Sequence, residues 1–249
     1  MLGRVAVTAV VSTLYWLFVF AVATVAFPIA ALIRLVSAPF DRRLWLLHRF
    51  TTLWAGLYTW CNPWWSVEVV GREKLDDART YVMISNHLSL VDIFVLYRLF
   101  AHFKWVSKIE NFRLPFIGWN MHLNRYVPLR RGDRESVLEM LARCREHLAA
   151  GSSIMMFPEG TRSKTGTLKD FKPGAFELAI EAGLPVLPIA LSGTFTALPK
   201  HGFAIGRARL RVHVLDAIPA DGRAADDLRR LAHDAIAHTL GQQTSAPAG

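Results

Sequence analysis

Three hydropathy patterns follow one another along the chain. The first is an apolar run from Val5 to Ile33 that holds no charged residue, with Arg4 before it and Arg34 after it. At about 1.5 Å per residue, a helix through this run exceeds the ~30 Å hydrocarbon core of a bilayer. The run is too long for a removable signal peptide and lacks a small-residue cleavage site. Pro28 predicts a kink or an end to the helix. The second pattern, Leu44 to Cys61, is helical: Leu46, Phe50, Leu53, Trp54, Leu57 and Tyr58 recur on one face, with His48, Arg49, Thr52 and Thr59 elsewhere around it. Trp45, Trp54, Trp60, Trp64 and Trp65 suit a membrane–water boundary, where an apolar ring with one N–H donor is at home. Two geometries are open for residues 1–65. The first helix spans the bilayer, or both helices form a hairpin in one leaflet.

After Ser66 the pattern becomes short apolar strands alternating with amphipathic helices. Strands are predicted at Ser66–Val70, Tyr81–Ser85, Lys104–Ser107, Tyr126–Leu129, Ser153–Phe157, Val186–Leu191 and Leu210–Leu215. Helices are predicted at Asp92–Phe100, at Asp133–Ala149 with Val137, Leu141, Cys144 and Leu148 on one face, and from Pro173 to Gly183. A last helix over Ala224–Leu240 buries Leu228, Leu231, Ala235 and Ile236. The alternation implies an α/β domain over 66–240 with a mixed, largely parallel sheet flanked by helices. The tail Gly241–Gly249 is expected to be disordered. No internal repeat is present.

Composition sharpens this picture. Hydrophobic residues make up 52% of the 249, concentrated at the N-terminus, and the net charge is +9. That charge draws in anionic partners or sets membrane topology. The cluster Arg34, Arg42, Arg43 and Arg49 favours a cytoplasmic face of the inner membrane for the domain after it. No basic run with interleaved aromatics and no zinc or RNA-recognition signature points to nucleic acid. Cys61 and Cys144 form no C-x-x-C pair, and no second His or carboxylate stands at ligand spacing near the first site, so neither a disulfide framework nor a metal site is expected.

Two segments carry chemistry. In Ser85-Asn86-His87-Leu88-Ser89-Leu90-Val91-Asp92, His and Asp lie five apart where a strand hands over to a helix. On one straight helix, five residues would rotate the pair about 140° apart. They converge only if His87 sits in the turn and Asp92 in the helix. A carboxylate on Nδ1 fixes the imidazole tautomer and stabilises the imidazolium formed when Nε2 takes a proton. An alcohol attacking a thioester needs such a base, and no Ser or Cys nucleophile is then required. Against this stands a turn histidine bonded to backbone, and Ser89 is a second candidate nucleophile. The other segment, Phe157-Pro158-Glu159-Gly160-Thr161-Arg162-Ser163, again follows a strand. Proline and glycine force a tight loop, Thr161, Arg162, Ser163 and Lys164 offer donors to an anionic oxygen, and Glu159 orients Arg162 or binds a substrate hydroxyl. A solvated surface turn is the plainer reading of a basic loop.

Together these pieces resemble the glycerolipid acyltransferases, specifically the lysophosphatidic acid (1-acyl-sn-glycerol-3-phosphate) acyltransferases. Four blocks match in order across roughly 67–219. They are Asn86-His87…Asp92; Lys104-Trp105-Val106-Ser107-Lys108-Ile109-Glu110 running on through Leu114–Trp119 to Arg130-Arg131; Phe157–Ser163; and Leu184–Ile189 preceded by Phe171–Ala175. The resemblance implies His87 as general base with Asp92 its partner, and a substrate site of Asn86, Lys108, Arg131, Glu159, Gly160, Thr161 and Arg162 around a glycerol phosphate. It also implies Leu184–Ile189 lining the acyl or acceptor channel, and the N-terminal helices as a membrane anchor. The expected reaction moves an acyl group from acyl-CoA or acyl carrier protein, as co-substrate and without a cofactor, to 1-acyl-sn-glycerol-3-phosphate, giving phosphatidic acid. Acylation of a lyso-ornithine lipid or lysophosphatidylglycerol is the neighbouring reading, and a non-catalytic anionic-lipid binder the distant one. Two departures, Asn124-Arg125 where glycine is usual and Arg130 where an acid is common, predict a more basic headgroup pocket.

Overall fold

The computed structural model describes residues 2–199 and 202–241, so the expected disordered tail lies, from 242 onward, outside the described residues. The elements are α1 (Leu2–Ser37), α2 (Trp45–Trp60), β1 (Trp65–Val70), β2 (Val82–Ser85), α3 (Val91–Leu96), β3 (Phe103–Lys108), α4 (Ile117–Leu123), β4 (Val127–Leu129), α5 (Arg134–Ala149), β5 (Ser153–Met156), α6 (Gly174–Ala182), β6 (Val186–Ser192), α7 (Thr194–Ala197), β7 (Ala208–Val214) and α8 (Ala225–Thr239). Each of the seven expected strands forms within two residues of its predicted bounds. Helices α4 and α7 have no counterpart in the sequence reading, because seven and four residues are too few to show a period.

The strands make one mixed sheet in the order β1-β7-β6-β2-β5-β3-β4. Neighbours β6, β2, β5, β3 and β4 are mutually parallel, and so are β1 and β7; only β6 and β7 pair antiparallel. The parallel run brings the carboxyl ends of β2, β3, β4 and β5 to one edge, where the blocks at 86–92 and 157–163 begin and the one at 104–131 crosses; the block at 184–189 enters β6 from the opposite edge. Helices α1, α2 and α3 pack on one face of the sheet, and α5, α6 and α8 on the other. On α5 the buried stripe is Met140, Cys144 and Leu148, with Val137 exposed. On α8 it is Leu228, Ala232 and Ile236, spaced by four, so the predicted Leu231 and Ala235 lie at its margin.

Pro28 does not end α1, which runs unbroken for 36 residues. Ala26 and Ala30, both buried, carry the helix across the missing backbone hydrogen bond. The stretch Ala6–Ser37 is long and apolar enough to cross a membrane. The apolar stripe of α2 is divided between the interior and the surface. His48, Thr51, Thr52 and Thr59 point inward with Leu47, Trp54 and Tyr58, while Leu46, Leu53 and Leu57 are exposed. The inward polar atoms are paired: Thr51 and Thr52 donate to the carbonyls of Leu47 and His48, and His48 Nε2 lies 3.0 Å from the Ala101 carbonyl. Tyr15, Val19, Leu47, Trp54 and Tyr58 share one hydrophobic core with Met83, Trp105 and Met155 of the sheet. Residue 65 therefore marks the first strand without marking a break in packing.

Candidate active site

The chain leaves β2 through Asn86 and His87 and enters α3 at Val91, which places Asp92 in the first helical turn. The predicted convergence forms: His87 Nδ1 lies 2.7 Å from Asp92 Oδ2. The same oxygen accepts the backbone N–H groups of Leu88 at 2.6 Å and Ser89 at 2.8 Å. Three donors on one buried oxygen hold the carboxylate, and through it the ring, in a single pose. The imidazole stacks on Phe157 with centroids 3.9 Å apart and planes 9° from parallel. Phe157 in turn stacks on Trp105 at 5.6 Å. His87 thus has Nδ1 committed and its ring fixed between β2 and the loop after β5.

That loop is tied to the turn twice. The His87 N–H donates to Glu159 Oε1 at 2.8 Å, and the Ser163 N–H donates to the His87 carbonyl at 2.8 Å. Gly160 takes φ +74°, and a Cβ there would meet the Lys172 side chain at 2.9 Å. Its place is that of a turn-former, with its N–H on the Phe157 carbonyl. Glu159 is buried and its Oε2 has no hydrogen-bond partner among the described residues. Burial pushes its pKa up to about 7, against the opposing pull of the His87 N–H. An acid whose pKa is raised on folding favours the folded state while protonated. Stability from this group is therefore lost as pH rises from about 4.5 to about 7. Glu159→Gln is expected to abolish that dependence, so its stability relative to the parent should improve by roughly 2.5 kcal/mol between pH 5 and pH 8. Denaturation at the two pH values checks this, and parallel curves for the two proteins exclude it.

A cavity of about 410 Å³ opens beside His87. Its walls come from α1 (Trp16, Val19, Ala23), α2 (Trp54, Ala55, Tyr58), α3 (Ile93, Phe94), β3 (Trp105) and the segment from Asn111 to Met121. The lining is almost wholly apolar, with His87, Lys108 and Arg131 as its basic members. Arg131 is exposed and the Lys108 side chain, 3.2 Å from Glu110, is 42% exposed, marking a cationic rim. Of the apolar lining, Phe20 is 60% exposed and Leu114 47% exposed. Phe116 takes φ 59°, ψ −57°, with the Ile117 N–H on the Pro115 carbonyl, a strained γ-turn that points its ring at Phe20, Phe27 and Trp119.

Of the predicted residues, His87, Lys108 and Arg131 line the cavity. Glu159 and Gly160 brace the turn from behind. Burial lowers the pKa of Arg131; Glu110 opposes this and repulsion from Arg162 adds to it. Thr161 and Arg162 are half-buried in the same loop. Asn86 is a correction. Its amide Nδ2 donates to the Leu191 carbonyl at 3.0 Å and its Oδ1 accepts the Leu191 N–H at 2.7 Å, so it clamps β2 to β6 and does not face the cavity. Ser89 is no nucleophile, because its buried hydroxyl donates to the Leu198 carbonyl at 2.7 Å. Leu184–Ile189 does not line the cavity either; β6 lies inside the sheet, where Val186, Leu187 and Ile189 are fully buried.

The two departures do not make the pocket more basic. Arg125 takes φ 55°, the left-handed region where glycine is unstrained, and its carbonyl faces His147. Arg130 is exposed and paired with Asp133 at 3.1 Å. Sequence reasoning missed Phe157 as the surface that holds the imidazole, and every cavity residue from α1. The order of a motif carries no signal for a ring stack, and an unbroken apolar run does not say which face turns inward.

A mixed sheet with a carboxylate-steered imidazole at its carboxyl edge, beside a cationic rim and an apolar cavity, belongs to the class of α/β acyl-transfer folds. The profile of the Acyltransferase family matches residues 66–192, and the chain belongs to that family. It is 39% identical over 215 residues to a 1-acyl-sn-glycerol-3-phosphate acyltransferase of Chlamydomonas reinhardtii, covering 83% of this chain and 63% of that one. It is 39% identical to the chloroplastic 1-acyl-sn-glycerol-3-phosphate acyltransferase LPAT1 of Arabidopsis thaliana, covering 78% and 54%. The chain thus spans less than two thirds of these relatives' length. The crystal structure of the 1-acyl-sn-glycerophosphate (LPA) acyltransferase PlsC of Thermotoga maritima shares the fold, with a TM-score of 0.76 at 22% identity over 96% of this chain and 100% of that one.

Proposed function

We propose that the chain transfers a fatty acyl group from an acyl-CoA or acyl-carrier-protein thioester to the free hydroxyl of 1-acyl-sn-glycerol-3-phosphate, giving phosphatidic acid. The observation that carries this reading is one imidazole, locked by Asp92 at 2.7 Å, on the wall of a largely apolar cavity that Lys108 and Arg131 also line. His87 is the general base and Asp92 its positioning partner. With its Nδ1–H donated to Asp92, His87 keeps the Nε2 lone pair free and takes the hydroxyl proton as the oxygen attacks the thioester carbonyl. The C–O bond forms, the C–S bond breaks, and the proton passes from His87 to the departing thiolate. No covalent acyl-enzyme is required, in keeping with the engaged hydroxyl of Ser89.

Lys108 and Arg131 receive the glycerol phosphate, with Arg162 beside them and the apolar walls holding a fatty chain. Arg131→Ala is expected to raise the KM for the phosphate-bearing acceptor about 10- to 100-fold, the worth of one charge-assisted hydrogen bond, and to leave the KM for the thioester nearly unchanged. Steady-state kinetics with each substrate varied in turn checks this, and equal effects on both rule out the phosphate role.

The reading includes membrane attachment through α1 and α2. Helix α1 packs sideways on the rest of the molecule over much of its length: Tyr15 on Trp65, Trp16 on Phe203, Phe20 on Phe116 and Phe27 on Trp119. A helix spanning the bilayer in that pose would draw the sheet into the hydrocarbon. The outward leucines of α2 and inward threonines fit an element solvated by lipid tails. Both features support the hairpin in one leaflet, with the sheet on the cytoplasmic side of the inner membrane.

A further inference from the structure

Five side chains along the edge of α2 form an alternating row that plays no part in the cavity. The Arg49 guanidinium lies 6.0 Å from the Trp45 ring and 5.4 Å from the Phe100 ring. Phe100 stacks on Trp60 at 6.1 Å and 23°. The Arg98 guanidinium lies 4.9 Å over Trp60. Each arginine is oriented by a neutral oxygen: Arg49 Nη1 donates to the Phe100 carbonyl at 3.0 Å, and Arg98 Nη1 to Thr59 Oγ1 at 3.1 Å.

Neither has a counter-ion. Arg72, Arg130, Arg145, Arg211, Arg229 and Arg230 each meet a carboxylate between 2.6 and 3.5 Å, and among the described residues no ion pair includes Arg49 or Arg98. Two guanidiniums held against aromatic faces keep their charge uncompensated by carboxylates, Arg49 exposed and Arg98 half-buried with its Nε enclosed. Trp45 and Trp60, 49% and 46% exposed, bracket the row. The outward leucines of the same helix, Leu46, Leu53 and Leu57, run alongside it. The cations therefore lie at the border of the face that the membrane reading puts in hydrocarbon, at the depth of lipid phosphates.

We propose that the row Trp45–Arg49–Phe100–Trp60–Arg98 is a binding site for the phosphates of anionic bilayer phospholipids that are not the substrate. The rings pack on the glycerol and upper tail, and the guanidiniums grip the phosphates. The proposal rests on the membrane attachment argued above.

The test is co-sedimentation of the full chain with phosphatidylcholine vesicles, with and without phosphatidylglycerol. Arg49→Gln/Arg98→Gln is expected to weaken binding to the phosphatidylglycerol vesicles roughly 10- to 30-fold. Binding to pure phosphatidylcholine should be unchanged, and Arg49→Lys/Arg98→Lys should keep most of the affinity. The charge-matched control Arg134→Gln/Arg143→Gln, on α5 across the sheet, should lose much less. A control loss as large as that of the pair, or an equal loss on both vesicle types, overturns the site. Parent protein that sediments with neither vesicle overturns the attachment itself.

Discussion

Protein carrying His87→Ala is expected to release thiol from acyl-CoA, in the presence of 1-acyl-sn-glycerol-3-phosphate, about 10²- to 10⁴-fold more slowly than the parent. A lipid hydroxyl is a poor nucleophile near neutral pH, and His87 is the basic wall residue of the cavity able to accept its proton. Lys108 and Arg131, the other basic members, are cations. Glu159 sits behind the turn with one oxygen on the His87 N–H, so it offers no substitute. Truncation leaves the backbone bonds from Leu88 and Ser89 to Asp92 in place, so the turn should persist. Vesicle co-sedimentation should match that of the parent, separating lost chemistry from lost membrane binding. Turnover within tenfold of the parent would remove His87 from the mechanism.

Asp92→Asn makes the subtler and nearly as large prediction. The amide oxygen can still accept from Leu88 and Ser89, so the loop keeps its shape. What changes is the charge on the oxygen that faces His87 Nδ1. That oxygen still accepts the Nδ1–H, but as an amide it no longer stabilises the imidazolium formed when Nε2 takes the hydroxyl proton. The expected result is a fall in kcat of about 10³- to 10⁴-fold with the KM for both substrates little altered. Single-turnover rates with saturating substrates give the measurement. A variant retaining a tenth of parental kcat would mean that Asp92 serves the turn alone.

The sheet and the pairing of His87 with Asp92 were legible because they follow from period and spacing. Alternating apolar runs fix strands almost independently of context, and a five-residue interval converges only across a turn, which made the contact of His87 with Asp92 a geometric requirement. The surroundings were not legible in the same way. The period of α2 identified its apolar stripe without saying which part turns inward; the structure buries Trp54 and Tyr58 beside the threonines and leaves Leu46, Leu53 and Leu57 exposed. Asn86 reads as part of a reactive motif, yet its partners on β6 lie 105 residues away, a pairing that no local pattern encodes. Arg125 reads as an added charge, whereas its left-handed backbone concerns how the chain turns into β4. Burial of neighbours decides such roles, and burial is a property of the assembled layers.

Helix α1 supplies Trp16, Val19, Phe20 and Ala23 to the cavity, and Phe20 shows its other side to the surroundings. On the proposed function and attachment, a fatty tail in the cavity is sheltered by a partition one helix thick, with lipid as the medium beyond it. Tail selection would then be a joint property of protein and medium: changing the thickness or fluidity of that medium would tilt or press the partition and reshape the space behind it. Detergent replacing the bilayer would act on specificity as a substitution in α1 does.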